Sequence, residues 1–391
     1  MTNPSLAPTP VQRLLSLDVL RGITIAFMIM VNNNGGSGSW GFMNHADWNG
    51  LTPTDLVFPT FVFVVGASVV FAFEARLARG ATRAALAWHT LQRAAVLFLL
   101  GVVVNGFPLF ELEHLRIYGV LQRIAICYLV VGLFYLVDRR ASTKVIALVV
   151  ALVGYFVLLR WVPVPGAGMP GRDFPFMDKA LNLTSWIDRL LMPHHLYLES
   201  PAHNLRDPEG LLSDLPAVGT ALLGMLAALW LRGQRAVQTK TLGLAVGALA
   251  CLGSGYLWSV WFPLNKNLWT SSFVLVAGGW SLTVLTLAYF TVEQMGWGKG
   301  SGKRWLYPWL VFGSNAITAY MFSELVPGIL WRIKFPGADG KSTDLLAWLY
   351  VHVFDRIPDP GWAAFAFSFS FTAFCFLPVW VLYRKRIFVK V

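Results

Sequence analysis

The sequence predicts an all-α polytopic membrane protein with about ten transmembrane helices and both termini in the cytoplasm. Of its 391 residues, 56% are hydrophobic and only 13% are charged, which is more apolar surface than a soluble domain can hide from water. Apolar runs of roughly 20 residues, the length that crosses a bilayer, recur along the chain. The net charge of +11 lies in short clusters between these runs, a pattern that indicates membrane topology and argues against a nucleic-acid partner.

Ten apolar runs are long enough to cross the membrane. The first is too long for a cleaved signal peptide and carries Asp18 and Arg21, so we expect it to remain as a span. The segment Leu345–Phe354 is too short to cross, and we expect an interfacial or re-entrant helix there. We expect one transmembrane domain, 1–391, with an extracytoplasmic loop at 163–213. The predicted spans lie near 14–32, 54–74, 88–107, 117–137, 145–162, 214–231, 242–262, 269–292, 306–330 and 361–384.

Basic residues occupy alternate connectors, and this sets the expected orientation. They follow the second, fourth, sixth, eighth and last runs, so the positive-inside rule places these connectors in the cytoplasm. The connector between the first two runs then faces the periplasm or exterior of a cytoplasmic (inner) membrane. The basic residues concerned are Arg76, Arg79, Arg83, Arg139, Arg140, Lys144, Arg232, Arg235, Lys240, Lys299, Lys303, Arg304, Arg384, Lys385, Arg386 and Lys390.

The first connector has an unusual polar composition for a simple turn. It holds asparagines, glycines, His45 and Asp47 but no Lys or Arg. Just after it, Thr52, Pro53 and Asp55 form a capping-box-like helix start, and capping is the favoured role for Asp55. Such a start offers free N–H groups and a positive dipole end suited to an oxyanion. By itself the pattern leaves two interpretations of His45, a loop histidine at the lipid headgroups or a group with a chemical role at the outer surface.

Polar residues inside the spans form the second candidate feature. Asp18 and Arg21 are three positions apart on one helix face, which predicts an ion pair. The others either hold helices together or line a polar cavity that is basic toward the cytoplasm. A basic inner mouth suits a phosphorylated ligand. These other residues are Arg93, Gln122, Arg123, Ser314, Asn315, Thr318 and Glu324.

Several segments resemble one family of membrane enzymes. Residues 13–22 are similar to the opening helix of membrane acyltransferases. The stretch 32–59, which contains His45, resembles the heparan-α-glucosaminide N-acetyltransferase family. Further matches at 119–123, 207–212, 265–269 and 383–388 follow in the same order and extend the resemblance over essentially the whole chain.

The resemblance implies an acetyl-CoA-dependent N-acetyltransferase. Acetyl-CoA enters from the cytosol, and its acetyl group reaches the amino group of a glucosamine-type sugar or oligosaccharide on the other side. The family's active histidine corresponds to His45 and its nearby asparagine to Asn32. Arg13 and Arg21 correspond to residues that hold the coenzyme A phosphates. Ser323 stands where the lysosomal members have a histidine, which leaves the acceptor open. The family also implies a homodimer.

Acetyl transfer to an amine needs a base and donors for the oxyanion. A neutral imidazole is a suitable base near pH 7, so His45 either accepts the amine proton or is itself acetylated and passes the acetyl group on. The Asn32 amide is the expected oxyanion donor, and Asp47 orients His45 if the loop curls. The full expected site comprises His45, Asn32 and Asp47 for catalysis, Arg13, Arg21, Arg93 and Arg123 for coenzyme A, and Asp207, Glu209, Asn265, Lys266, Asn267 and Glu324 for the acceptor.

Other functions are also compatible with parts of the pattern. The alternative is an amino-sugar or N-acetylglucosamine permease without acetyl transfer, although no inverted repeat is visible. The histidines near 194–209 match no standard zinc spacing, so no metal is expected. We expect Trp40, Trp48 and Trp269 to anchor the chain in the outer lipid interface.

Overall fold

The computed structural model describes residues 14–35, 38–197, 205–336 and 342–389. Apolar runs form its long helices, and charged connectors separate them. A small antiparallel pair, β1 (Lys334–Pro336) and β2 (Ser342–Asp344), is the one sheet of the described ranges. The helices are α1 Leu15–Asn32, α2 Val57–Leu77, α3 Arg83–Gly106, α4 Val120–Val137, α5 Ala141–Trp161, α6 Leu183–Leu191, α7 Asp214–Arg232, α8 Val237–Trp258, α9 Ser271–Tyr289, α10 Lys303–Ser314, α11 Ala316–Arg332, α12 Leu345–Leu349 and α13 Pro360–Arg384.

The all-α polytopic fold class predicted from the sequence is confirmed. In the described part of the chain, nine helices are long and apolar enough to cross a membrane. These are α1 to α5, α7, α8, α9 and α13. The short apolar segment Leu345–Phe354 is helical, as expected, and too short to cross.

The predicted ninth span, 306–330, differs from expectation because it is broken at Asn315. This residue has φ −130° and ψ 44° and separates α10 from α11. Its side chain donates to Ile387 O at 3.1 Å and accepts from Val389 N at 2.8 Å. Arg21 Nη1 lies 3.3 Å from Gly313 O at the end of α10. The break is therefore stabilised by side chains and by the chain after α13, since a bilayer supplies no substitute for lost backbone bonds.

Helices α2 and α7 form the centre of the bundle and approach each other closely. A Cβ on Gly66 would lie 1.8 Å from Ala221 O, and one on Gly224 would lie 1.9 Å from Phe63 O. Small residues permit such backbone contact between apolar helices, where packing replaces the hydrophobic effect. α2 and α7 are each 72% buried over their apolar windows, whereas α8 is 17% buried, so α8 lies at the periphery.

The connectors meet at two ends of the bundle. We call one the His45 end, where Gly50 N donates to Leu264 O at 2.8 Å and joins the α1–α2 connector to the α8–α9 connector. At the opposite end Glu74 accepts from Arg139 at 3.2 Å and from Arg232 at 2.9 Å. These contacts join the ends of α2, α4 and α7 through the basic connectors.

Candidate active site

His45 lies directly against Asp55 at the start of α2. His45 Nδ1 is 2.7 Å from Asp55 Oδ1; the imidazole is 50% exposed and the carboxylate 1% exposed. Because an ionised carboxylate only accepts hydrogen bonds, Nδ1 supplies the proton of this contact, and Nε2 is the ring nitrogen left for a reacting group. The pair thus has the geometry of a base with its orienting acid.

The second oxygen of Asp55 secures the loop that carries His45. Asp55 Oδ2 accepts from Ala46 N at 3.1 Å, from Thr52 N at 3.0 Å and from Thr52 Oγ1 at 3.0 Å. The capping box predicted from the sequence is confirmed. One buried carboxylate therefore starts the helix, closes the loop and orients the imidazole.

Asp47, the residue expected to orient His45, does not occupy that position. It is exposed, and within the described ranges the carboxylate bonded to His45 is that of Asp55. The reason is geometric: the capping box draws residues 45 and 46 onto the helix start, so Asp55 reaches Nδ1 from ten positions away.

Lys266 completes the arrangement from the α8–α9 connector. Its Nζ lies 3.2 Å from both His45 Nδ1 and His45 Nε2, and 3.9 Å from Asp55 Oδ1. Burial lowers the pKa of Lys266 from its usual value, while the carboxylates of Glu209 and Asp55 oppose this shift. An amine whose ammonium form is destabilised by burial thus lies against the face of the imidazole, equally far from its two nitrogens.

Asn265 positions Lys266. Its Nδ2 donates to Asn49 Oδ1 at 3.1 Å, and its Oδ1 accepts from Leu268 N at 2.8 Å. Asn265 is fully buried, so its role here is to join the two connectors. Asn267 is also engaged within the protein, since its Oδ1 accepts from Arg206 at 3.1 Å.

Asn32 and Glu324 form a second polar contact at the end of α1. Asn32 Nδ2 donates to Glu324 Oε1 at 3.1 Å. The expected oxyanion donor and one of the expected acceptor-binding carboxylates are therefore partners in this conformation. Glu324 orients the Asn32 amide, but Asn32 Nδ2 has to give up this hydrogen bond before it can donate to an oxyanion.

Asp207 and Glu209 belong to a buried ion cluster around Arg116. Arg116 donates to Asp207 Oδ2 at 2.9 Å and Oδ1 at 2.5 Å, and to Glu209 Oε2 at 2.5 Å. Burial raises the pKa of Asp207 despite this partner. Burial also opposes ionisation of Glu209, yet Arg116, Arg123 and Lys266 hold its pKa below the usual value. Sequence reasoning missed Arg116, because its partners are about 90 positions away and no local pattern marks it.

The arginines expected to bind coenzyme A lie in separate places. Arg21 forms the predicted ion pair with Asp18 at 3.0 Å and donates to Ser68 Oγ at 2.8 Å. Arg123 is fully buried and pairs with Asp214 at 3.0 Å. Arg93 lies over the Tyr128 ring at 4.9 Å. Arg13 lies outside the described residues.

Trp269 is not the interfacial anchor that we expected. It is fully buried, with its ring 5.0 Å from that of Phe58 and 4.8 Å from the Arg123 guanidinium. Trp48 is held by a hydrogen bond from Nε1 to Met177 O at 3.0 Å. The α8–α9 connector folds inward, which carries Trp269 into the core and Lys266 onto His45.

No group of three or more His, Cys, Asp and Glu side chains in the described ranges is arranged to hold a metal ion. The side chains that meet at the His45 end offer imidazole, carboxylate, amide and amine groups. Among the sequence-predicted site residues of the described ranges, His45 and Lys266 meet, and Asp55 joins them. Asn32 meets Glu324, and Asp207 meets Glu209 at Arg116.

Known proteins have sequences similar to this chain. Residues 13–182 match the family model described as heparan-α-glucosaminide N-acetyltransferase, catalytic. The chain is 30% identical over 430 aligned positions to heparan-α-glucosaminide N-acetyltransferase of Homo sapiens, covering 97% of this chain and 60% of that protein. It is 28% identical to the Mus musculus protein, covering 99% of this chain and 62% of the relative. The chain thus spans about 60% of the length of these relatives. The comparisons confirm its resemblance to the heparan-α-glucosaminide N-acetyltransferases, with His45 and Asp55 inside the matched catalytic region.

Proposed function

We propose that this chain is a transmembrane N-acetyltransferase. It moves the acetyl group of cytosolic acetyl-CoA to the amino group of a glucosamine-type sugar on the other side of the cytoplasmic membrane, and residues 1–391 act as one domain. The observation that carries the proposal is the Asp55–His45 pair at 2.7 Å. Its imidazole is half exposed at one end of a helical bundle, and both residues lie within the segment that matches a catalytic family model.

In the proposed reaction His45 Nε2 accepts the proton of the attacking amine. The amine nitrogen bonds to the thioester carbon, the tetrahedral oxyanion collapses, and the carbon–sulfur bond breaks to release coenzyme A as the thiol. Buried Asp55 stabilises the imidazolium formed on the way. An acetyl-His45 intermediate needs the same Nε2 lone pair; direct transfer is favoured because it needs fewer steps.

The donor is proposed to enter from the end opposite His45. Arg21, with Arg13 beside it in sequence, supplies positive charge for the coenzyme A phosphates. The helical rise from Arg21 to Asn32 is roughly 16 Å at 1.5 Å per residue, so an extended pantetheine arm running beside α1 would bring its thioester toward the His45 end. Arg123 is a weaker candidate, since its side chain is fully buried whereas that of Arg21 is 24% exposed. Arg93 lies over the Tyr128 ring at 4.9 Å.

The acceptor is proposed to bind among the polar groups of the His45 end. Glu209 stays anionic beside Lys266 and suits an incoming ammonium group, and Glu324 with Asn32 offers carboxylate and amide contacts for sugar hydroxyls. Asp207 and Asn265 shape this region rather than contact the sugar, because both polar atoms of each side chain bond to other parts of the chain. Asn267 is held by Arg206 through its Oδ1. Association of two copies remains a prediction of the resemblance.

The break at Asn315 favours one alternative function, an amino-sugar permease, since transporters place ligand sites at discontinuous helices. One experiment distinguishes the acetyltransferase from the permease. Purified protein with acetyl-CoA and glucosamine is expected to release free coenzyme A, measured as thiol, and a His45→Gln variant is expected to lose this activity. Uptake of labelled glucosamine into proteoliposomes without acetyl-CoA, together with no thiol release, would instead establish a permease.

A further inference from the structure

Lys266 places an amine against the base of the proposed reaction. A group that gives its proton to His45 Nε2 must lie within hydrogen-bond reach of that nitrogen. Lys266 Nζ lies 3.2 Å from both Nδ1 and Nε2, so the amine rests on the face of the imidazole, within reach of Nε2. A rotation of the flexible lysine side chain from this position would bring Nζ to the lone pair of Nε2, where the acceptor amine must lie.

We propose that Lys266 is a self-acetylation site: when no acceptor sugar is bound, the enzyme transfers an acetyl group from acetyl-CoA to the Lys266 side chain. This inference rests on the proposed function and adds an internal acceptor to it. In the reaction Nζ bonds to the thioester carbon, the carbon–sulfur bond breaks, the amine proton moves to His45 Nε2, and the coenzyme A thiolate leaves and is protonated. The products are coenzyme A and an Nε-acetyl-lysine amide.

The surroundings of Lys266 favour this reaction over acetylation of other lysines. Its side chain is only 19% exposed, and Asn265 fixes the connector that carries it. Burial lowers its pKa, which raises the fraction of neutral amine available to attack. Lys179 provides a matched contrast on the same end of the bundle, because it is exposed and lies 5.5 Å over the Trp48 ring rather than against His45.

Acetylation of Lys266 would have a direct consequence for the site. It would remove the cation that lies 3.9 Å from Asp55 Oδ1 and place a neutral acetamide in the acceptor position. The amide nitrogen no longer carries a basic lone pair, so the modification would block turnover. A bound acceptor displaces the lysine from His45 and prevents it, which links enzyme activity to acceptor supply.

The test is site-resolved mass spectrometry of the purified full chain incubated with isotope-labelled acetyl-CoA at neutral pH, with and without saturating glucosamine. Without glucosamine, we expect Lys266 to be labelled faster than Lys179 by on the order of 100-fold, the lower end of what a positioned general base contributes. Glucosamine should suppress the Lys266 label and leave the Lys179 label unchanged. A folded His45→Gln variant should label Lys266 no faster than Lys179.

The outcomes separate this inference from the proposed function. If Lys266 is labelled no faster than Lys179 while the same preparation acetylates glucosamine, self-acetylation is wrong and the proposed function stands. If Lys266 is labelled equally with and without glucosamine, the lysine does not share the acceptor position and the inference fails. If neither Lys266 nor glucosamine is acetylated, both proposals are overturned.

Discussion

At the scale of single residues, Asp55 has two roles: it caps the helix start and it holds His45. Its Oδ2 closes the capping box with Thr52, and its Oδ1 holds His45 Nδ1 at 2.7 Å. The capping role was predictable from the local pattern Thr-Pro-Thr-Asp. The contact with His45 was not, because a ten-residue loop leaves several conformations open and Asp47 was nearer in sequence. The structure resolves the choice through bonds that the loop backbone itself makes to Asp55.

The first prediction compares the two carboxylates. Asp55→Asn should lower kcat for coenzyme A release by roughly 10²- to 10⁴-fold, because the amide no longer enforces the proton on Nδ1 or stabilises the imidazolium. Asp47→Asn should change kcat by less than about twofold, since a surface substitution away from the base alters little. Size-exclusion profiles and thermal unfolding of both variants report on folding. The reverse ranking of the two variants would restore Asp47 as the partner of His45.

The second prediction concerns the pH dependence of Lys266 labelling. Only the neutral amine attacks, so the rate rises with pH until the amine is deprotonated and then levels off. Burial and the Arg123 cation lower the pKa of Lys266, while Glu209 and Asp55 oppose them, and the net shift is downward. With the His45 ring neutral, labelling of Lys266 should therefore level off at a lower pH than acetylation of free Nα-acetyl-lysine in the same buffer. A plateau at the same or higher pH would contradict the charge balance described for this site.

At the scale of elements, close helix contacts and connectors place the site. Asp55 lies in the helical turn Pro53–Leu56 that leads into α2, and the crossing of α2 with α7 depends on Gly66 and Gly224. The α8–α9 connector is bonded to the α1–α2 connector through Leu264 and Asn265. The sequence indicated both connectors as polar segments on one side, but not that they bond to each other. Contacts between connectors depend on where the helices end in space, which local patterns do not specify.

The third prediction tests the central crossing. Gly66→Ala should destabilise the folded protein by about 3 kcal/mol, the upper end of the usual range for overpacking, because the new methyl group meets the Ala221 carbonyl at 1.8 Å. Gly154→Ala in α5 is the control, since nothing lies within 4 Å of its Cβ position, and its effect should stay within about 0.5 kcal/mol. Thermal unfolding in detergent measures both. Equal stability of the two variants would contradict the close approach of α2 and α7.

At the scale of the whole molecule, composition and hydropathy were sufficient to predict the fold class. Nine of the ten predicted spans correspond to long apolar helices in the described ranges. The tenth, 306–330, is apolar enough to suggest one helix, but Asn315 breaks it by bonding to Ile387 and Val389. That interaction is about 70 positions away in sequence. The Arg116 cluster was missed for the same reason, since long-range ion pairs leave no periodic signal.

The most direct test of the account is a sided transfer measurement in proteoliposomes that contain oriented protein. Acetyl-CoA is supplied on the face opposite His45 and glucosamine on the His45 face, since neither crosses the bilayer unaided. We expect N-acetylglucosamine to appear on the His45 face in amounts equal to the coenzyme A released on the other face, and the His45→Gln variant to produce neither. Product formed only when both substrates share one face, or unchanged transfer by His45→Gln, would contradict the account.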